Sequence, residues 1–210
     1  MNPMKILTFV SFLIVLTFNV SADSRLDEIV VTAQKKAEGL AEVPISIQVL
    51  SGDRISDLGI TSFESLANHV PGLHVTKGAG EWNIYMRGVG SGANKGFSQS
   101  VTQFIDGMPI SKGQQYLAPL LDIERIEVLK GTQGVLFGKN TIGGVINVIS
   151  KSPQIGGEAD SNMSVEFVPE WNTTKFQGAT NISMSDSFAM RLAASYEESD
   201  GWIADKRSLG

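Results

Sequence analysis

The sequence predicts an α+β domain, a small mixed sheet with short helices, followed by the first antiparallel strands of an incomplete transmembrane β-barrel. Three features carry this prediction. The middle of the chain interleaves short β-type runs with two helix-capping patterns, between loops rich in glycine. The C-terminal part alternates apolar and polar side chains over three runs of about ten residues. The N-terminus carries the apolar stretch of an export signal.

Composition narrows the function classes. With 42% hydrophobic and 8% aromatic residues in 210, the chain is ordinary for a folded protein. Its 17 basic and 22 acidic side chains give a net charge of −5, without the basic footprint that a phosphate backbone requires, so nucleic acid is excluded as a partner. The absence of cysteine removes disulfides, a thiol nucleophile and thiolate-held metals. Glycine, at 22 residues, exceeds the usual ~7%.

Taken in order, Ile6 to Val20 is uncharged, follows Lys5 and ends in Val20-Ser21-Ala22. It falls short of the ~20 apolar residues of a spanning helix, so residues 1–22 are expected to be a signal peptide cleaved after Ala22. Residues 23–39 hold a short β-branched run, Ile29 to Ala33, beside charged flanks, and are expected to form an extended, flexible tail; the alternative is a first core strand. In residues 40–153, Ile45 to Val49 alternates as a strand after Pro44. Ser51 or Asp53 can cap a short helix through Leu58, ended by Gly59. Thr61 can cap a second helix with Glu64 closing a capping box, and Pro71-Gly72 stops it. Further strands are expected at Leu73–Lys77, Ile84–Arg87, Val101–Ile105, Ile126–Lys130 and Val145–Ser150.

Residues 154–210 change character. Met163, Val165 and Phe167 oppose Asn162, Ser164 and Glu166; Phe176, Ile182 and Met184 oppose Lys175, Asn181 and Ser183; Phe188, Leu192 and Tyr196 oppose Ala189, Ala193 and Glu197. This period of two, with aromatics near the strand ends, is the pattern of a membrane barrel, although a soluble meander also alternates.

Motifs for catalysis or cofactors fail in detail. Gly88 to Ala93 fits a dinucleotide fingerprint, but Asn94-Lys95-Gly96 opens no helix to receive a pyrophosphate. Gly134 to Lys139 is one residue short of a P-loop and places Asn140 where the Mg²⁺-binding hydroxyl belongs. His69 and His74 straddle Pro71-Gly72 without acidic company, and no G-x-S-x-G elbow occurs. No enzyme, catalytic residue, metal or cofactor is expected.

Six segments in fixed order carry a resemblance. Asp27 to Ala33, Val43 to Ile47, Val70 to Leu73, Met86 to Val89, Ile105 to Pro109, and Ile123 to Gly131 with Gly134 to Asn147 together resemble the N-terminal part of TonB-dependent outer-membrane receptors. Met86 stands where an aliphatic residue is commoner and Thr132 where proline is. The resemblance implies a plug domain over 40–153 inside a barrel that begins in 154–210. Asp27, Glu28, Ile29, Val30, Val31, Thr32 and Ala33 would be the TonB box, whose β-branched backbone suits strand addition to a partner sheet. Arg87, Glu124, Arg125 and Glu127 would hold the plug against barrel charges; the alternative is a solvated strand face. Trp82, Phe97 and Tyr116, single aromatics in polar loops, would contact ligand.

The function implied is TonB-driven uptake, across the outer membrane of a Gram-negative bacterium, of a scarce small molecule, with a ferric siderophore foremost. A soluble exported binding protein is the alternative. A barrel of about 22 strands of about 10 residues needs about 220 residues, so the chain is expected to be an N-terminal fragment. Only Asp23 to Leu26 separate the expected cleavage site from Asp27, too few for an added signalling domain.

Overall fold

The tail strand Val30–Val31 (β1) folds back on Glu38–Gly39 (β2), with Val30 opposite Gly39. This is the first element of a computed structural model that describes residues 30–32, 36, 38–40, 43–78, 81–92, 98–110, 120–156, 160–169 and 172–200. The signal segment lies outside the described residues, as do Asp27, Glu28, Ile29, Ala33, Phe97 and Tyr116. Where the sequence suggests a flexible tail, the described part of it is paired, and Val31 is fully buried. Its side chain joins Val43, Phe104, Leu129, Phe137 and Val145 in a small apolar cluster. The neighbours that bury this short run come from strands far along the chain, which the local sequence does not reveal.

The strand after Pro44 is Ile47–Ser51 (β3), later by two residues than its alternation suggests. Ser51 then caps Gly52–Asp57 (α1), its Oγ accepting the Arg54 N–H at 3.3 Å, and Gly59 closes the turn at φ +60°. The second helix, Phe63–Ala67 (α2), is capped by Ser62 and not by Thr61. Ser62 is extended, so its hydroxyl reaches the Ser65 N–H, while the Ser65 hydroxyl accepts the Ser62 N–H at 3.1 Å; serine thus completes the box expected of Glu64. This helix also stops before Pro71-Gly72, because Asn68 and His69 bond back to Ser65 and Leu66 and turn Val70 into the core.

Leu73–Gly78 (β4), Glu81–Met86 (β5) and Val89–Gly90 (β6) make an antiparallel three-stranded sheet. Arg87 falls outside β5: at φ +50° with Gly88 at +83° it forms the tight turn to β6. The central sheet adds Val101–Ile105 (β7), Met108–Ile110 (β8), Ile123–Lys130 (β9) and Gly144–Ser150 (β10), in the order β3-β9-β10-β7-β8. Among these described strands only β10 and β7 run parallel. A short helix, Gly134–Phe137 (α3), separates β9 from β10.

One face of this sheet carries Ile126, Val128, Ile146 and Val148, packed with Ile55, Phe63 and Leu66 of α1 and α2 and with Ile84 and Met86 of β5. The opposite face carries Leu129, Val145 and Phe104 and receives the tail. Ser161–Val168 (β11), Thr173–Ser185 (β12) and Phe188–Glu198 (β13) form a separate antiparallel sheet in sequential order. The row from Met163 to Phe167, continued by Phe176, Ile182, Met184, Leu192 and Tyr196, faces outward and exposed. On the other face Ala179 and Asn181 are buried towards the α+β domain.

Candidate functional site

On β9 the residues two apart, Arg125, Glu127 and Leu129, share the face that receives the tail. Glu127 is fully buried, and an isolated carboxylate there would be very costly, so its partners define the site. Its carboxylate accepts the Thr32 main-chain N–H at 2.8 Å, the Arg125 Nε at 2.9 Å and the Asn147 Nδ2 at 3.1 Å, with the Thr32 hydroxyl at 3.3 Å from both oxygens. Asn147 is the residue directly opposite on β10. Arg125 also pairs with Glu124, which is exposed at the strand end. The buried charge is thereby neutralised inside the domain, and the tail is tied to it by a charge-assisted main-chain bond next to the buried Val31.

The structure therefore brings Glu124, Arg125 and Glu127 together and joins to them Thr32 of the tail. Glu127 faces the tail within its own domain, in contrast to the expectation of a residue reaching for a barrel wall. Arg87 lies elsewhere. Its Nη2 donates to Ser46 Oγ at 2.7 Å, and its charge adds to burial in holding the Lys130 ammonium below its ordinary pKa. Lys130 donates to Gln48 at 3.1 Å. Among the described residues no carboxylate lies within ion-pair distance of either cation. Trp82 packs partly against the core, with Lys77 Nζ 5.4 Å from its ring centroid, so one ring face is occupied within the domain.

A second cluster is one that the sequence does not announce. Arg191 on β13 points inward, nearly buried, and donates to both oxygens of Asp122 at 2.5 and 2.7 Å. Its remaining nitrogen reaches Asp160 at 3.0 Å. Asp122 immediately precedes β9 and sits at φ +52°, a left-handed conformation that aspartate tolerates better than most residues. Beside it, Asn181 exchanges two bonds with the backbone of Gln154, at 2.9 and 3.0 Å. The one available signal is the inward row Ala189, Arg191, Ala193, Ser195, where a cation stands among small residues. Among the described residues no group of three or more potential ligands could hold a metal.

Comparison with known proteins agrees with this architecture. Residues 39–145 match the family model described as the TonB-dependent Receptor Plug Domain. The chain is 34% identical over 135 residues to the pesticin receptor of Yersinia pestis, covering 62% of this chain and 20% of that protein. It is 28% identical over 191 residues to the vitamin B12 transporter BtuB of Vibrio vulnificus, covering 84% and 28%. Among solved structures, the Pseudomonas aeruginosa FpvA complex with a heterologous pyoverdine superposes with a TM-score of 0.68 at 22% identity, over 81% of this chain and 22% of that one. The chain thus spans between a fifth and a third of the length of these proteins.

Proposed function

The chain belongs to the TonB-dependent receptor plug family, and from that we propose that it is the N-terminal part of an outer-membrane receptor for TonB-driven uptake of a ferric siderophore. In this reading residues 1–22 are the signal peptide, 23–39 the tail with its TonB box, 40–153 the plug, and 154–210 the first barrel strands. The observation that carries it is the plug fold set against antiparallel strands whose other face is a continuous exposed apolar row. That row suits lipid and would be a liability in a soluble protein. The siderophore is favoured because relatives include the ferripyoverdine receptor of P. aeruginosa, 30% identical over 118 residues, and a probable TonB-dependent siderophore receptor of Acinetobacter baumannii, 32% identical over 163.

The box, Asp27 to Ala33, contributes backbone more than side chains, since a partner strand grips through main-chain bonds. In the resting protein part of it is already engaged, through Thr32 on Glu127 and Val31 in its apolar cluster. Withdrawal of the tail by TonB would act first on β9, the strand bearing Glu127. Arg87 and Lys130, two adjacent cations without an acidic partner among the described residues, are the part of the plug suited to meet carboxylates of the barrel wall. Trp82, with Phe97 and Tyr116, stays our candidate for ligand contact.

Val30→Pro in the complete receptor tests the box. It removes a main-chain donor, so energised uptake of iron-55-loaded siderophore is expected to disappear while binding to whole cells persists. Unchanged uptake would refute the assignment of the tail.

A further inference from the structure

Gln103 stands in the middle of β7, on the side that carries Val101 and Ile105 and meets the helix-side core. Its cross-strand neighbours are Ile146 on β10 and Ile110 on β8, both apolar. The residue is fully buried, and neither Nε2 nor Oε1 has a hydrogen-bond partner among the described residues. Other buried polar side chains of this domain are served. Gln99 accepts the Ile84 N–H at 3.4 Å, and Glu127 accepts from Asn147 at 3.1 Å. The Thr102 and Thr141 hydroxyls donate to the Asn140 and Gly138 carbonyls at 3.0 and 2.7 Å. Asn83 leaves one buried atom unpaired, whereas Gln103 leaves both. A buried amide without partners carries its full desolvation penalty, so this position calls for one.

Neither a shift of the strand nor a change of charge can supply it. β7 is held along its whole length by parallel pairing with β10, from Val101 on Gly144 to Ile105 on Val148. Beyond these pairs the Gly143 N–H donates to the Ser100 carbonyl at 2.9 Å, and the Asp106 N–H to that of Val148 at 3.0 Å. On the opposite side of β7, Phe104 lies edge-on to Phe137 with ring centroids 5.1 Å apart. A slip of one residue would turn Gln103 over, but it would break this register and drive Phe104 to the wrong face. A primary amide also cannot discharge itself by gaining a proton, as a buried carboxylate can. Water is the partner that is left. Gln103 lies a single strand inside the edge of the sheet, a spacing of about 4.8 Å, because β8 is the last strand. That strand is only three residues long, with Met108 and Pro109 exposed. One water can accept from Nε2 and donate to Oε1 at once, which is how buried polar groups are commonly satisfied. We propose that the Gln103 amide is an internal hydration site, holding ordered water between β7 and the helix-side core behind the β8 edge. The site belongs to the core of the α+β domain and does not rest on the uptake reading.

Crystals of the complete protein, diffracting well enough to show ordered solvent, test the site directly. The wild type is expected to hold a water within hydrogen-bond distance of both amide atoms of Gln103. Gln103→Leu, which keeps an apolar side chain of similar size there, should lack that water while its other ordered waters stay. A dry site, or an amide bonded to a protein group in place of water, would overturn the proposal. Urea titration of the two proteins, followed by near-ultraviolet circular dichroism, gives a second reading. Removing an amide together with its water orphans no protein group, so the unfolding equilibrium of Gln103→Leu should move towards unfolding by no more than about five-fold, or towards folding. Loss of a direct protein partner would leave that partner unpaired, so any larger shift towards unfolding would count against the hydration site and overturn it. Should the branched leucine fail to fold, Gln103→Met, unbranched like glutamine, is judged by the same two criteria.

Discussion

Glu127 is the residue on which most of the tail-side chemistry converges, and its effect on stability is calculable in order of magnitude. Removing one member of a buried, hydrogen-bonded ion pair leaves the other uncompensated, so Glu127→Ala should destabilise the plug by about 3 kcal/mol. Glu127→Gln keeps an acceptor for Thr32 and should cost about 1 kcal/mol. A urea titration followed by near-ultraviolet circular dichroism measures both, and equal midpoints for wild type and Glu127→Ala would refute the buried pair. Residue by residue, the site is only partly legible in the sequence. The alternation Glu124-Arg125-Ile126-Glu127-Val128 reveals a strand with charges on it, but Thr32 lies 95 residues from Glu127, and Asp122 lies 69 from Arg191. No spacing rule links such distances. Ser62 displaces Thr61 as a cap for a subtler reason: adjacent hydroxyls compete, and the winner is set by which backbone is extended at the helix start.

Elements are more legible than their partners. Of the strands from β4 to β10, β4, β5, β7, β9 and β10 are visible from apolar runs and glycine turns, to within a few residues at their ends, whereas the two-residue β6 and three-residue β8 are too short to carry a pattern. The two-residue β1 reads as loose from sequence because its burial is supplied by Leu129, Val145 and Phe104, none of them local. For β11 to β13 the period of two is sufficient, since both faces of these strands are chemically distinct along their whole length. That distinction yields a prediction. Leu192, on the outward face near the middle of β13, should resist a charge: Leu192→Arg is expected to cost about 2–4 kcal/mol of stability in a bilayer. Ser195→Arg, on the inward face, should cost far less. Folding of the complete receptor into phospholipid vesicles over a urea series reads the difference, and equal losses would refute the assignment of faces.

At the scale of the molecule, the Arg191–Asp122 ion pair ties the β11–β13 sheet to the α+β domain, and the central sheet is closed late. β10 lies between β9 and β7, and β3 reaches its neighbour β9 across some eighty residues, with Ile47 opposite Leu129. A chain covering residues 23–131, which lacks β10, is therefore expected to stay protease-sensitive, while residues 23–153 become protected in limited trypsin digestion; protection of the shorter chain would refute the dependence on β10. The same topology has a kinetic meaning. Domains dominated by pairings distant in sequence fold slowly, on the order of milliseconds to seconds, because loop closure must precede most of the reward. In a chain emerging N-terminus first, as the export route proposed above requires, the β3–β9 and β7–β8 pairs cannot be joined into one sheet until the strand at Gly144–Ser150 has also emerged. On that proposed route the order of strands doubles as a delay, leaving the two halves of the sheet unjoined while the polypeptide is threaded and letting them set once the last strand has arrived.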